Sequence, residues 1–82
     1  MTPGADDEFR RFVQRRARLN QQLDEARDRI DQWVGQHESG EASPTDLALL
    51  EGLLEARRNL LRQLLALDDQ FMEHLLELLG KS

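Results

Sequence analysis

Apolar residues recur at alternating intervals of three and four along the first half of this chain. The series is Phe9, Phe12, Leu19, Leu23, Ala26, Ile30 and Trp33, and Arg16 fills the one place where the interval meets a charge. Such intervals give one narrow apolar stripe on an α-helix, the stripe of a coiled coil. Acids at positions 6 to 8 suit a helix start, and Gly40 suits the residue just beyond a helix end.

A second helix start is indicated by the segment Ser43-Pro44-Thr45-Asp46. Ser43 can cap free backbone amides, and Asp46 stands where a capping box has its acid. Pro44 suits the first helical position, because its missing N–H has no bond to make there. The polar residues before Ser43 suit the connection of a helical hairpin.

These signals predict an all-α fold, an antiparallel two-helix coiled-coil hairpin. The predicted organisation is a disordered N-terminus at residues 1–5 and a single domain at 6–80, with a helix over 6–38, a turn at 39–43 and a helix over 44–79.

The second helix carries more leucine than the first can cover, with fourteen between Leu47 and Leu79. On a wheel of 100° per residue, one stripe holds Leu49, Leu53, Ala56, Leu60, Leu64, Leu67, Phe71, Leu75 and Leu78. An adjacent stripe holds Leu50, Leu54, Leu61, Leu65, Met72, Leu76 and Leu79. Together they span an arc of roughly 200°, about twice that of an ordinary surface helix. We expect the second stripe to be buried by another chain, so that dimerisation or partner binding completes a four-helix bundle.

Folding the chain back near Gly40 brings the two patterns into register. Phe12 then faces Phe71, and Arg16 lies beside Asp68, the acid within the apolar arc of the second helix. We predict that Arg16 and Asp68 form a salt bridge. Such a pair contributes little net stability, but it can fix the register of the two helices.

Composition narrows the possible functions. Of 82 residues, 33% are charged and none is cysteine, which excludes disulfides and thiol chemistry. The net charge of −5 argues against nucleic acid as a partner. No apolar run approaches the roughly 18 residues of a membrane span, and the polar start is unlike a secretory signal. We therefore expect a soluble, unprocessed, cytoplasmic protein.

Candidate chemistry is sparse. His37 and His74 lie far apart in sequence, and neither has a second histidine or cysteine at ligand spacing. We expect no metal, no cofactor, no small-molecule substrate and no enzymatic activity, since no phosphate loop or catalytic constellation is present. The arginine block, Arg10, Arg11, Arg15, Arg16 and Arg18, leaves two interpretations open: contact with a phosphate-bearing ligand, or contact with the acidic end of the second helix.

A Gly-containing turn, Ser43-Pro44-Thr45-Asp46-Leu47 and a Leu-rich second helix follow one another in this chain. This layout resembles the small helical-hairpin proteins of type III secretion systems, namely needle co-chaperones and needle subunits. The resemblance implies an apolar face that sequesters an aggregation-prone partner, and it assigns no individual residues. Trp33-Val34-Gly35 is also similar to the Trp-x-Gly turn of small exported hairpin proteins, although here a polar stretch follows it and no Tyr-containing tail signal is present.

The sequence therefore predicts a non-enzymatic protein-protein interaction module, a small chaperone or adaptor that binds another helical protein. The predicted partner-binding residues are Leu50, Leu54, Leu61, Leu65, Met72 and Leu76. The alternative is a structural homo-oligomer, in which two hairpins form a four-helix bundle and the same stripe is core.

Overall fold

The computed structural model describes residues 3–80, and the side chains from residue 7 onward. Two α-helices, α1 (Pro3–Gln36) and α2 (Pro44–Gly80), make up this part of the chain, and they pack against each other as an antiparallel hairpin. The molecule is a rod with extents of 60 × 17 × 16 Å. The predicted all-helical hairpin is confirmed.

The helix ends differ slightly from the expected ones. α1 begins at Pro3 rather than near residue 6, which a proline permits because the first helical turn needs no N–H from it. Of the expected disordered segment 1–5, residues 1 and 2 lie outside the described residues, and the other three belong to α1. α1 ends at Gln36, two residues early, and α2 includes Gly80.

The turn after α1 is tightened by bonds that span three residues. The His37 N–H donates to the Val34 carbonyl at 3.1 Å, and the Gly40 N–H donates to the His37 carbonyl at 3.0 Å. Gly40 has a φ of 84°, the left-handed conformation that glycine adopts without a Cβ clash. The chain can therefore reverse within a few residues.

The predicted capping box is present at the start of α2. The Asp46 N–H donates to Ser43 Oγ at 3.1 Å, and the Ser43 N–H donates to Asp46 Oδ2 at 3.0 Å. The Trp33 indole Nε1 donates to the Asp46 carbonyl at 3.0 Å. The cap is thus tied to the last turns of α1 as well as to its own helix.

The two helices meet along a seam of residues spaced three and four apart on each side. On α1, Leu19, Ala26 and Ile30 are buried, and no residue of α2 is buried in the part of the chain that the structure describes. The half-buried seam residues of α2 are Asp46, Leu50, Leu53, Arg57, Leu60, Leu64, Leu67, Phe71 and His74. α1 therefore covers only part of the apolar surface of α2.

The register agrees with the predicted one. The rings of Phe12 and Phe71 stack with centroids 4.1 Å apart and planes 7° from parallel. Four residues further along α1, the side chain of Arg16 meets that of Asp68. Apolar and charged pairs thus set the same alignment.

The seam of α2 departs from the predicted stripe at four places. Leu49, Ala56, Leu75 and Leu78 are exposed, and the seam positions of the first three belong instead to Leu50, Arg57 and His74. The reason is the repeat: packed helices follow 3.5 residues per turn, whereas a wheel of 3.6 drifts by about 20° per heptad. Equal spacing therefore places a charged and a polar side chain in the seam although apolar neighbours were available.

Candidate protein-binding face

One apolar face of α2 is left open beside the seam. Six large apolar side chains of this face each come one position after a seam residue. We call them the outer face: Leu47, Leu54, Leu61, Leu65, Met72 and Leu75. Their exposed fractions run from 37% at Leu75 to 63% at Leu65. A step of one residue turns the helix by about 100°, so the outer face is a second stripe parallel to the seam.

Three polar side chains interrupt this second stripe. Glu51, Arg58 and Asp68 also follow seam residues by one position, and therefore occupy the same line along α2. Glu51 and Arg58 line a shallow groove together with Leu47, Leu50 and Leu54. The stripe is thus apolar over most of its length, with two acids and one base at defined places.

The structure distributes the six predicted partner-binding residues unequally. Leu54, Leu61, Leu65 and Met72 belong to the outer face. Leu76 is 60% exposed and lies next to the outer face, one turn beyond Met72. Leu50 is half-buried in the seam, because the 3.5-residue repeat gives it the place that the wheel assigned to Leu49, and it also lines the groove beside Leu54. Its contact with a partner stays a prediction.

The exposed outer face does not contribute the stabilisation that burying its side chains would give the folded protein. At roughly 1.5–3 kcal/mol for each fully buried large side chain, the six half-exposed groups withhold on the order of 5 kcal/mol. That is similar to the whole folding free energy of a small domain, about 5 kcal/mol at the low end. Among residues 7–80 only Leu19, Ala26 and Ile30 are buried, with 6–9% of their surface exposed, so covering the outer face would enlarge the core substantially.

The opposite edge of the hairpin is polar. The groove there is lined by Arg11, Gln14, Arg15, Arg18, Leu19, Gln22 and Gln63. Because large apolar groups are almost absent from this groove, the two edges of the rod differ in character. This groove therefore offers an apolar partner less contact than the outer face does.

The Arg16 and Asp68 side chains form a forked ion pair across the seam. Arg16 Nε donates to Asp68 Oδ1 at 3.0 Å, and Nη2 donates to Oδ2 at 3.4 Å. Both side chains keep more than a third of their surface exposed, at 42% and 37%. Asp68 therefore lies on the outer-face line, and its carboxylate also accepts hydrogen bonds from Arg16 across the seam.

The histidines lie at opposite ends of the rod, each beside an acid. His74 Nε2 lies 2.5 Å from Glu8 Oε2, without the alignment of a hydrogen bond. His37 Nδ1 donates to the Trp33 carbonyl at 2.7 Å, and its Nε2 lies 3.3 Å from Asp46 Oδ2. Among residues 7–80, no group of three or more histidine and acidic side chains is placed to hold a metal ion.

The carboxyl group of Asp46 is held in its charged form by the cap. The backbone N–H of Ser43, then its side chain, and to a smaller extent the His37 ring lower the pKa of Asp46 below its ordinary value of 3.8. Hydrogen bonds donated to a carboxylate favour the ionised state. The start of α2 therefore keeps a negative charge near its positive dipole end, which stabilises the helix.

The arginine block remains accessible to solvent over most of its members. Arg10, Arg11, Arg15 and Arg18 are exposed, and Arg16 is the member that pairs with an acid of α2 within the described side chains. The acidic end of α2 thus engages the block at one point, through Asp68. The two interpretations of the remaining four arginines are both still predictions.

In comparisons with known protein families, curated proteins and solved structures, the chain matches none. Within residues 3–80, neither helix has an apolar stretch of the length needed to cross a bilayer.

Proposed function

We propose that this protein is a non-enzymatic protein-protein interaction module, a small chaperone or adaptor, which binds helices of another chain through the outer face of α2. The observation that carries the proposal is the second stripe itself. Six large apolar side chains lie in line, exposed, on the helix that already supplies the seam. An apolar surface of this extent on a soluble chain is typical of an interaction site.

The shape of the molecule supports a helical partner. Each position of the outer face follows the last by three, four or seven residues, as in the contact line of a coiled coil. A partner helix laid along this line would have the same kind of contact that α1 makes along the seam. The product is a bundle of three or four helices, in which α2 is packed on two sides.

The chaperone activity and the likeness to type III secretion hairpins are part of the proposal. An exposed Leu-rich face can cover the apolar face of a partner that would otherwise aggregate. A cytoplasmic location is also proposed, and a chain without cysteine is compatible with it.

The test is a pair of double variants. Leu61→Glu with Leu65→Glu places two charges at the centre of the outer face, while Gln63→Glu with Gln70→Glu adds the same charges on the polar edge. Each protein is characterised by its solution mass, its circular dichroism and the proteins that co-purify with it. We expect the outer-face variant to remain helical and to lose its complex, and the polar-edge control to keep it. A wild-type chain that is monomeric, well folded and without any partner would overturn the proposal.

A further inference from the structure

The charges within the outer-face line identify the occupant of the face. We infer that it is the outer face of a second copy of this chain, packed with its α2 antiparallel to the first. The inference rests on the proposed function, since it names the partner for the same surface. It is carried by the positions of Arg58 and Asp68 relative to the apolar residues around them.

Antiparallel packing can pair two of the three charges on the outer-face line, Arg58 and Asp68, while the third, Glu51, lies nearer the end of the face and opposite Leu75 of the second copy. When Leu61 of one copy faces Leu65 of the second copy, Leu54 faces Met72 of the second copy. In the same register, Arg58 faces Asp68 of the second copy. The two-fold symmetry repeats each of these contacts, so a base meets an acid twice and apolar groups meet elsewhere along the central part of the face.

The parallel alternative is disfavoured by the same residues. In a parallel dimer with equal register, Arg58 meets Arg58 and Asp68 meets Asp68 within an apolar surface. Like charges at such places destabilise the contact. The antiparallel register has like-charge contacts too: Glu55 faces Asp69, and Arg62 faces Arg62 of the second copy near the two-fold axis. These residues are exposed and lie on the rim, where solvent and salt screen them.

The carboxylate of Asp68 can bind Arg16 of its own chain and Arg58 of the second copy at the same time. An ionised carboxylate offers about four lone-pair sites, and the shorter bond from Arg16 uses Oδ1. The contact from Arg16 to Oδ2 is longer, at 3.4 Å, and the side chain is 37% exposed. Arg58 of the second copy can therefore reach Oδ2 from the open side while Arg16 remains in place.

The available area suits a stable dimer. A whole side of the rod measures 60 × 17 Å in outline, roughly 1,000 Å², and a standard interface covers about 800 Å² on each partner, so the contact would extend from the outer face over most of that side. α2 overlaps its copy along nearly its whole length in this register, because Leu61 and Leu65 are close to its middle. The product is an elongated four-helix bundle with two α2 helices at its centre.

Cysteine cross-linking tests the register directly, since the chain has no cysteine of its own. We mix Leu54→Cys with Met72→Cys and oxidise, with each variant alone as the control. The mixture should form a disulfide-linked dimer, because the two positions face each other. Leu54→Cys alone should not, since two copies of position 54 lie about 27 Å apart along the antiparallel axis at 1.5 Å per residue.

Charge exchange tests the chemistry of the same contact. Arg58→Asp and Asp68→Arg should each weaken the homodimer by about tenfold or more, because each brings like charges together. An equimolar mixture of the two should recover dimers, since every contact then joins a base to an acid. Arg18→Asp makes the same charge change in the polar groove and should leave the dimer unchanged.

The outcomes separate this inference from the proposed function. A wild-type dimer of twice 9.5 kDa with mixed cross-links supports the second copy as occupant. It also supports the binding of another chain by the outer face, but as a structural homo-oligomer rather than as a chaperone or adaptor for a different protein. A dimer in which Leu54→Cys links to itself overturns the antiparallel register. A wild-type monomer over a hundredfold concentration range overturns the second copy as occupant. If that monomer still binds a different protein and loses it on Leu61→Glu with Leu65→Glu, the proposed function stands; if it binds nothing, both fail.

Discussion

Arg16 and Asp68 are joined by a hydrogen bond of 3.0 Å although 52 positions separate them in the chain. They form an ion pair across a seam that is otherwise mainly apolar. Their contact fixes one place at which α1 and α2 can align, because sliding either helix by one turn would leave an arginine and an aspartate facing apolar groups.

A double-mutant cycle should measure this pair as a weak one. We expect Arg16→Ala and Asp68→Ala to couple by about 0.2–1 kcal/mol, since both side chains are partly solvated and water screens the attraction. The measurement is denaturant unfolding of the four proteins at one fixed concentration. Arg15→Ala with Asp68→Ala is the control cycle, with coupling near zero. Coupling of several kcal/mol for Arg16 would contradict the solvated geometry.

The aromatic cluster should be the strongest contact at the open end of the hairpin. Phe71 stacks on Phe12 and also lies 6.0 Å from the ring of Phe9, which is 56% exposed. We expect Phe71→Ala to reduce the free energy of unfolding by about 2 kcal/mol, and Phe9→Ala by less than about 1 kcal/mol. Thermal unfolding of both variants checks the order. Equal losses of unfolding free energy for Phe71→Ala and Phe9→Ala would show that the stacking of Phe71 on Phe12 adds no stability.

The α2 cap should make stability depend on acid. The pKa of Asp46 is lowered in the folded state, so its carboxylate stabilises the fold fully above 3.8, and this contribution is lost as the pH falls through the lowered value. Asp46→Asn should therefore have a lower Tm than wild type at pH 6, and the gap should close below the lowered pKa. Glu55→Gln, the same loss of charge in the middle of α2, serves as control. A gap that persists in strong acid would assign the effect to shape rather than charge.

Two glycines should respond to alanine in opposite directions. Gly40 has a φ of 84°, and Gly52 lies inside α2, and an added Cβ would meet no atom within 4 Å at either place. Gly40→Ala should destabilise the protein by about 1 kcal/mol, because the left-handed backbone strains an alanine. Gly52→Ala should stabilise it by about 0.5–1 kcal/mol, because alanine loses less backbone entropy in a helix. Calorimetry of the two variants measures the difference, and a stabilising Gly40→Ala would show that the turn is not held in this conformation.

Local signals in the sequence predicted most of the hairpin. Ser43, Pro44 and Asp46 each act through near neighbours, so the cap could be placed without knowing the fold. The Phe12 and Phe71 contact followed from the apolar repeat and the position of the turn. These features depend on spacing and backbone chemistry, which a sequence displays directly.

The details of the second stripe could not be obtained in that way. Whether Leu49 or Leu50 enters the seam depends on the pitch that the two helices adopt together, which is a property of the packed pair. Arg57 is half-buried in the seam, against the usual preference for an apolar residue. The seam residues therefore differ by one position from the predicted ones where the packed pitch of 3.5 residues per turn departs from a wheel of 3.6.

The hairpin places Pro3 and Gly80 at the same end of a rod 60 Å long, with Gly40 at the other end. Any segment joined to either helix there would leave in the same direction, away from the turn. In the antiparallel dimer that we propose, the two pairs of helix ends point to opposite poles. Such an assembly is a molecular spacer: it would hold two attached bodies apart at a distance set by the length of α2.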